Sequence, residues 1–359
     1  MLKIHDLAGV IPALATPLTR DGGVDEAGVG RLVDHVLAGG VTGLLPLGST
    51  GECSSLDEGS RRAVLAAVVK ANAGRVPIIC GVAQSHLAGA QLEVAAAAAL
   101  GADAALVTPP FYYPMDQAGV LAFFRTLARR SPIPIFLYNI PQFTKVVAEP
   151  ETVATLAREG SLVGIKDSSR NFEYFELVRA ATRDLPHFRV FTGSDTMLLV
   201  SLVMGGAGTI CGAANIAPAW VVHIYEAFRR GDLESAREQQ DRLTELVLSL
   251  RGGVFPSAIK AALDLQGVCE PWPAKPIAPL DETARATLRH RLLAVEFIAS
   301  LLPCGPGEEL IDRPRFGQHD VHVFHFSTKS APECSPCLAR ANPQCGRATA
   351  LRIPCEQGN

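Results

Sequence analysis

Short apolar runs alternate along the chain with longer segments whose apolar residues recur at helical spacing. Eight of the short runs are rich in aliphatic and β-branched residues, which is typical of buried strands. These predicted strands are Val10 to Thr16, Gly43 to Leu47, Pro77 to Gly81, Ala104 to Thr108, Pro134 to Asn139, Val163 to Asp167, Arg189 to Gly193 and Gly208 to Cys211. Strands that alternate with helices predict a parallel sheet.

The helical segments support one closed sheet. Glu58 to Ala73 and Leu87 to Leu100 have helical spacing, and Ser55-Leu56-Asp57-Glu58 before the first has the pattern of a capping box. Eight strand and helix repeats within about 230 residues predict an α/β fold, the (β/α)8 TIM barrel. A doubly wound sheet is the alternative. It usually carries a glycine-rich phosphate turn after the first strand, where this chain has Thr16-Pro17-Leu18-Thr19.

Beyond the eighth strand the pattern changes twice. Four further segments have helical spacing, namely Ala217 to Arg229, Asp232 to Ser249, Phe255 to Leu265 and Asp281 to Ser300. From Leu302 onward neither helix nor strand spacing persists, and Pro, Gly and Ser are frequent. We therefore predict a barrel over residues 1–230, a C-terminal helical appendix over residues 231–301 packed on it, and an irregular, disordered tail over residues 302–359.

Composition narrows the function classes. The 33 basic and 36 acidic side chains leave a net charge of -3, so the chain lacks the charge excess of a protein that binds nucleic acid. No apolar stretch reaches the roughly 20 residues that span a bilayer, and the first residues lack the pattern of a secretory signal. We expect a cytoplasmic protein with no membrane partner, whose Cys53, Cys80, Cys211 and Cys269 are buried thiols.

The other five cysteines lie in the tail. A Cys-x2-Cys pair with further cysteines and histidines could bind zinc in a tetrahedral site. The candidate ligands are Cys334, Cys337, Cys345, Cys355, His319, His322 and His325. Their remaining spacings match no established zinc pattern, so the favoured interpretation is a dispensable extension without a metal site.

Reactive side chains gather where several predicted strands end, the place where barrels of this type carry their active sites. Lys166 ends an apolar strand, and burial there favours the neutral amine that attacks a carbonyl. Tyr138 and the Gly48-Ser49-Thr50-Gly51 turn supply hydroxyl and backbone N–H groups for proton transfer and carboxylate binding. The alternatives are a lysine paired with a carboxylate, a packed tyrosine and a simple tight turn.

These motifs, in this order, resemble the dihydrodipicolinate synthase and N-acetylneuraminate lyase family of pyruvate-type class I aldolases over roughly residues 8–300. The resemblance implies that Lys166 forms a Schiff base with a 2-oxo acid and that Tyr138 relays protons. It implies that Ser49 and Thr50 bind the carboxylate and complete the relay, with Thr50 as a catalytic residue and Gly48 in the same turn. No metal or organic cofactor is implied.

Other positions correspond less directly to the family. The resemblance implies a catalytic tyrosine contributed across a dimer interface, which we place at Tyr112 in Phe111-Tyr112-Tyr113. It also implies substrate contacts from the loops that contain Ser168, Gly193, Asp195 and Ala213. For Asp195, a helix N-cap is the alternative. The family is usually built as a homotetramer, a dimer of dimers.

One departure from the family bears on the substrate. Dihydrodipicolinate synthases carry an arginine two residues after Tyr-Asn-Val-Pro, and this chain has Phe143 there, which cannot replace a guanidinium. We therefore expect an aldolase that joins pyruvate to an aldehyde, most consistent with a 2-keto-3-deoxy sugar acid as product or substrate. The alternatives are 4-hydroxy-tetrahydrodipicolinate synthesis from aspartate semialdehyde, a sugar acid dehydratase, and a 2-oxo acid binding protein without turnover.

Overall fold

The computed structural model describes residues 4–295, and its centre is a curled parallel sheet of seven strands. The strands are β1 (Gly9–Pro12), β2 (Ile79–Val82), β3 (Ala104–Val107), β4 (Ile135–Asn139), β5 (Gly164–Asp167), β6 (Arg189–Thr192) and β7 (Gly208–Cys211). They lie in the order β1-β7-β6-β5-β4-β3-β2, so consecutive strands are neighbours from β2 to β7, and β7 also pairs with β1. This order is that of a barrel opened between β1 and β2.

The second predicted strand closes that opening in a shortened form. Leu45 forms a parallel bridge with Ala13 after β1, and Leu44 forms one with Ile78 before β2. Pro46 has no N–H to continue the ladder, and Leu47 adopts a left-handed φ of 60°. The prediction of a (β/α)8 barrel is confirmed, whereas the prediction of a regular strand over Gly43 to Leu47 is wrong.

Helices follow the strands around the outside of the sheet. They are α1 (Glu26–Ala38), α2 (Glu58–Asn72), α3 (Leu87–Ala99), α4 (Gln117–Arg130), α5 (Pro141–Thr144), α6 (Pro150–Arg158), α7 (Phe172–Ala181), α8 (Leu198–Val203), α9 (Pro218–Arg229), α10 (Leu233–Ser249), α11 (Ser257–Leu265) and α12 (Glu282–Ala294). The predicted capping box before α2 is not formed. Asp57, not Ser55, is the N-cap, because its carboxylate accepts the Ser60 N–H at 2.7 Å.

The barrel interior is filled by side chains from alternate strand positions, as the period of two requires. Phe136 of β4 and Phe191 of β6 are fully buried, with ring centroids 6.3 Å apart. Gly164 of β5 makes room for them, because a β-carbon there would lie 2.5 Å from a ring carbon of Phe136. The two aromatic rings thus fill part of the barrel interior.

Three of the four cysteines that the sequence analysis predicts as buried thiols are buried. Cys80, Cys211 and Cys269 are buried free thiols and Cys53 is partly buried. Burial raises the pKa of Cys53 and of Cys269 to about 12. Within residues 4–295, no helix has the length and apolar character needed to cross a membrane.

A buried ion pair joins the helical appendix to the barrel. The Lys260 ammonium on α11 lies 2.5 Å from the Glu52 carboxylate, and both side chains are almost fully buried. The ammonium also donates to the Trp272 carbonyl at 2.6 Å, and Glu52 accepts the Ala274 N–H at 2.6 Å. Burial lowers the pKa of Lys260, and the charge of Glu52 opposes that shift.

Two predictions about domains are not tested by these residues. The boundary between barrel and appendix at residues 230 and 231 stays a prediction. The tail over residues 302–359, with the zinc ligands considered for it, lies outside the described residues, as does the end of the predicted helix Asp281 to Ser300.

We predict that Lys260→Met lowers the free energy of unfolding by about 3–5 kcal/mol, because it leaves the Glu52 carboxylate buried without its counter-charge. Equilibrium unfolding in urea measures the loss. The double variant Glu52→Gln with Lys260→Met removes both charges and keeps an acceptor for the Ala274 N–H, so it should regain at least half of that loss. A double variant no more stable than Lys260→Met would show that the unpaired charge is not the cause.

Candidate active site

The upper end of the barrel holds a cavity of about 780 Å³. Its floor is formed where the strands and the shortened second segment end, with Thr50, Tyr138, Lys166, Gly193 and Gly212 among the lining residues. This is the end of the barrel where (β/α)8 enzymes carry their active sites. Its volume lies within the range of about 300–1,000 Å³ that is usual for ligand pockets.

Lys166 and Tyr138 are brought together by the register of the sheet. They are opposed residues of β5 and β4, so both side chains point to the same side. Lys166 is 3% exposed and Tyr138 is 5% exposed. The Lys166 Nζ lies 4.4 Å from the centroid of the Tyr138 ring. Among residues 4–295 no carboxylate forms an ion pair with Lys166, so the alternative of a salt-bridged strand end does not hold for the described chain.

The Tyr138 hydroxyl continues toward the turn that follows the shortened second strand. Its oxygen lies 3.3 Å from the Ser49 Oγ, at hydrogen-bond distance. Thr50 is buried and lines the cavity, but its hydroxyl forms no hydrogen bond with Tyr138. The hydroxyl pair is therefore Tyr138 with Ser49, where the expectation named Thr50 as the catalytic member. Gly48 lies in the same turn but does not line the cavity.

The backbone of this turn is tightly constrained. Leu47 and Glu52 have left-handed φ values of 60° and 58°. A β-carbon at Gly81 of β2 would lie 2.2 Å from the Leu47 carbonyl oxygen. The turn therefore packs so closely against β2 that only glycine fits at position 81. The Thr16 hydroxyl donates to the Gly51 carbonyl at 2.7 Å. These contacts leave the backbone of the turn little room to change.

Gly193 lets the loop after β6 approach the lysine. A β-carbon at this position would lie 2.9 Å from the Lys166 Cε and 1.9 Å from the Ser168 Oγ. Ser168 is buried and lines the cavity with Gly193. The absence of a side chain at Gly193 therefore makes room for the side chains of both Lys166 and Ser168.

Asp195 occupies the cavity wall beside Ala213. Its carboxylate accepts the Ala213 N–H at 2.8 Å, across the gap between the loops after β6 and β7. Burial raises the pKa of Asp195, and the bond from Ala213 opposes that shift. Asp195 begins a 3-10 turn over Asp195–Met197, and its side chain caps no helix, so the N-cap alternative is wrong. Asp195 and Ala213 both line the cavity.

Asp167 plays a different part from its neighbour Lys166. It points to the other side of β5, accepts hydrogen bonds from the Asn139 amide at 2.9 Å and from the Ser169 N–H and hydroxyl, and does not line the cavity. Burial raises the pKa of Asp167, and these three bonds oppose the shift. This network ties the ends of β4 and β5 together and so holds Tyr138 beside Lys166.

Tyr112 lies outside the cavity of its own chain. Its side chain is 82% exposed and meets Tyr113 edge to face, with ring centroids 5.1 Å apart. Its φ of 85° is strained for a residue with a β-carbon. A single chain therefore does not bring Tyr112 to Lys166, and its expected role across a dimer interface stays a prediction.

Sequence reasoning missed the wall that the helical appendix contributes. Residues between α10 and α11 line the cavity, including Leu250, Arg251, Gly252, Gly253 and Phe255. The loop after β5 adds Arg170. The sequence does contain one signal for this loop. Arg251-Gly252-Gly253 interrupts the helical spacing between two predicted helices of the appendix.

Gln240 of α10 connects that appendix to the loop that carries Asp195. Its amide nitrogen donates to the Asp195 carbonyl at 3.1 Å, and its amide oxygen accepts the Leu199 N–H at 3.0 Å. Gln240 is buried, so both bonds are shielded from water. The appendix thus both lines the cavity and holds one of its loops.

The chain is similar to proteins of one family. The model of the dihydrodipicolinate synthetase family matches residues 6–295. The 4-hydroxy-tetrahydrodipicolinate synthases of Hyphomonas neptunium and Methanopyrus kandleri are 40% and 38% identical, over 78% and 80% of this chain and 95% of each relative. YagE, a prophage protein of the dihydrodipicolinic acid synthase family from E. coli K12 solved in complex with pyruvate, matches with a TM-score of 0.78 and 30% identity, over 81% of this chain and 99% of YagE.

We predict that Gly193→Ala destabilises the protein by about 1–3 kcal/mol, because the added methyl group overpacks the site. A crystal structure of the variant should show the Lys166 or Ser168 side chain displaced. Gly30→Ala on α1 is the matched control, since no atom lies within 4 Å of a β-carbon there. In a helix that change should raise stability by up to about 1 kcal/mol. A Gly193→Ala variant with full stability and an unmoved Lys166 would contradict the packing argument.

Proposed function

The chain belongs to the dihydrodipicolinate synthetase family of carbon–carbon lyases, and from that premise we propose how its own residues act on pyruvate. Lys166 forms the Schiff base, and Tyr138 and Ser49 move the protons. The observation that carries this proposal is the pairing of Lys166 with Tyr138, whose ring centroid lies 4.4 Å from the Lys166 Nζ in a buried site. A family member solved with pyruvate supports the choice of 2-oxo acid.

The chemistry follows from this geometry. The neutral Nζ of Lys166 attacks the carbonyl carbon of pyruvate, and the oxygen takes up a proton to give a carbinolamine. The attacking nitrogen gives up one proton, and a second proton delivered to the oxygen lets it leave as water while the nitrogen lone pair forms the C=N double bond of a protonated imine. Tyr138 donates and receives these protons, with Ser49 at 3.3 Å as its hydrogen-bond partner. Loss of a methyl proton then gives the enamine that attacks an aldehyde.

The Gly48-Ser49-Thr50 turn holds the pyruvate carboxylate in this proposal. Ser49 and Thr50 line the cavity beside Tyr138 and Lys166, and left-handed φ values at Leu47 and Glu52 constrain the backbone of the turn. Hydroxyl and backbone N–H donors of this kind bind a carboxylate without needing a full positive charge. A fixed carboxylate places the neighbouring carbonyl at the lysine and lowers the entropic cost of attack.

A second chain completes the site in the proposed assembly. Tyr112 is exposed, strained and outside its own cavity, which fits a side chain that enters the cavity of a neighbouring subunit. We therefore retain the homotetramer, a dimer of dimers, as part of the proposal. The cytoplasmic location stays a prediction from the sequence.

Two classes of aldehyde are candidates for the second substrate, and a different observation favours each. The relatives named 4-hydroxy-tetrahydrodipicolinate synthase favour aspartate semialdehyde, the alternative in the sequence analysis, and we take it as the leading candidate. Phe143, 58% exposed at the cavity, favours a 2-keto-3-deoxy sugar acid aldolase, since it cannot pair with a carboxylate. The enzymatic relatives disfavour the binding protein without turnover.

We predict that sodium borohydride added with pyruvate traps a covalent adduct on Lys166. Reduction converts the imine to a stable secondary amine, and peptide mass analysis locates it. Lys166→Arg keeps the positive charge but cannot form the imine, so it should give no adduct and no turnover. An adduct on another lysine, or none in the wild-type protein, would overturn the mechanism.

Tyr138→Phe is the companion variant, because it removes only the hydroxyl. It should keep the fold and lower turnover by about 10²-fold or more, the usual effect of losing a general acid or base. Turnover close to that of the wild-type protein would remove Tyr138 from the proton relay while leaving Lys166 in place.

We predict that the protein with pyruvate consumes aspartate semialdehyde with a higher kcat/KM than it shows for cleavage of 2-keto-3-deoxy sugar acids. A coupled assay of each reaction at the same pH measures the ratio. The reverse ratio would assign the chain to the sugar acid branch. Equal loss of both activities in Lys166→Arg is the control that one site performs them.

A further inference from the structure

Two arginines line the active-site cavity without a role in the proposed imine chemistry. Arg170 lies in the loop after β5, four residues beyond Lys166, and Arg251 lies between α10 and α11. Within residues 4–295 neither guanidinium forms an ion pair or a side-chain hydrogen bond. Both are exposed, so their donors point to solvent or to whatever enters the cavity.

The backbone holds both residues in defined places. Arg170 has a left-handed φ of 61°, a conformation that residues with a β-carbon seldom adopt. Arg251 follows the last turn of α10 and precedes Gly252 and Gly253. Gly253 has a φ of 64°, and a β-carbon there would lie 2.5 Å from the Leu280 side chain, so this loop can follow its course only with glycine. Arg251 is therefore presented by a constrained turn.

The charges of the cavity are unbalanced. Its lining carries the guanidinium groups of Arg170 and Arg251 as well as the Lys166 amine, and Asp195 is the only carboxylate among the lining residues of the described chain. That carboxylate already accepts the Ala213 N–H. The pyruvate carboxylate would be held by the Ser49 and Thr50 turn, which leaves the two guanidinium groups for a second anion. The volume of about 780 Å³ has room for a second reactant beside pyruvate.

We propose that Arg170 and Arg251 bind the carboxylate of the aldehyde partner and thereby select an aldehyde that carries an acid group. This inference rests on the proposed imine at Lys166 and adds the chemical class of the second substrate. Guanidinium groups bind carboxylates through paired, charge-assisted hydrogen bonds. Arg170 and Arg251 thus supply, from two other loops, the positive charge that the family's arginine provides at the position of Phe143.

The test compares aldehydes that differ in one group. Succinic semialdehyde and butanal have four carbons each, and only the first carries a carboxylate. Glyceraldehyde 3-phosphate and glyceraldehyde form the corresponding pair for phosphate. kcat/KM for each aldehyde is measured at saturating pyruvate in the wild-type protein, Arg170→Gln, Arg251→Gln and the double variant. Arg130→Gln is the matched control, since Arg130 ends α4 and does not line the cavity.

We expect the wild-type protein to prefer succinic semialdehyde to butanal by at least about tenfold, the effect of one charge-assisted hydrogen bond. Each arginine variant should lose about 10- to 100-fold in kcat/KM with succinic semialdehyde and less than about threefold with butanal. The loss should appear mainly in the KM for the aldehyde. Arg130→Gln should change neither substrate.

Other outcomes overturn the proposal. They are an equal loss with both four-carbon aldehydes, no loss with either, and a wild-type protein that shows no preference between them or turns over neither. A stronger preference for glyceraldehyde 3-phosphate than for succinic semialdehyde would assign the arginines to phosphate instead of carboxylate. Borohydride trapping with pyruvate alone separates the two hypotheses. The arginine variants should form the Lys166 adduct as fully as the wild-type protein, whereas failure of the proposed function abolishes that adduct in every variant.

Discussion

The ion pair between Glu52 and Lys260 is the contact on which the shape of the active-site cavity depends. Glu52 ends the turn that presents Ser49 and Thr50, and Lys260 lies on α11 of the helical appendix. Two charges buried at 2.5 Å tolerate little displacement, because each would otherwise face a low-dielectric interior alone. The pair therefore fixes the turn and the appendix relative to each other, and both are walls of the cavity.

Because side chains alternate along a strand, the candidate catalytic residues face the barrel interior and the residues that hold the strand ends together face outward. Tyr138 and Lys166 face the interior, while the next residues, Asn139 and Asp167, face outward and bond to each other. The outward pair holds the strand ends, so the inward pair keeps its spacing. Gly193 leaves free the space that the Lys166 and Ser168 side chains occupy. The placement of the Lys166 amine over the Tyr138 ring thus results from the register of β4 and β5, with the supporting hydrogen bond on the opposite face.

The two ends of the cavity have different electrostatic character. Near Lys166 and Tyr138, donors are hydroxyl and backbone N–H groups held by a rigid turn. Toward the appendix, Arg170 and Arg251 add full positive charges on constrained loops. A 2-oxo acid and an acid-bearing aldehyde would each meet a suitable partner in this arrangement. The helical appendix thus lines the cavity, and under the proposal above it takes part in substrate selection.

The sequence by itself determined the parallel barrel, the strand-end placement of Lys166 and Tyr138, and the turn with Ser49 and Thr50. These follow from periods of two and 3.6 residues and from the rule that parallel strands end on one side, all of which are local. Only the tertiary structure decided that the second strand shrinks to two bridges, that Tyr138 pairs with Ser49, that Asp195 bonds to Ala213, and that residues near Arg251 line the cavity. Each of these depends on atoms far apart in the chain, whose distances no local periodicity encodes.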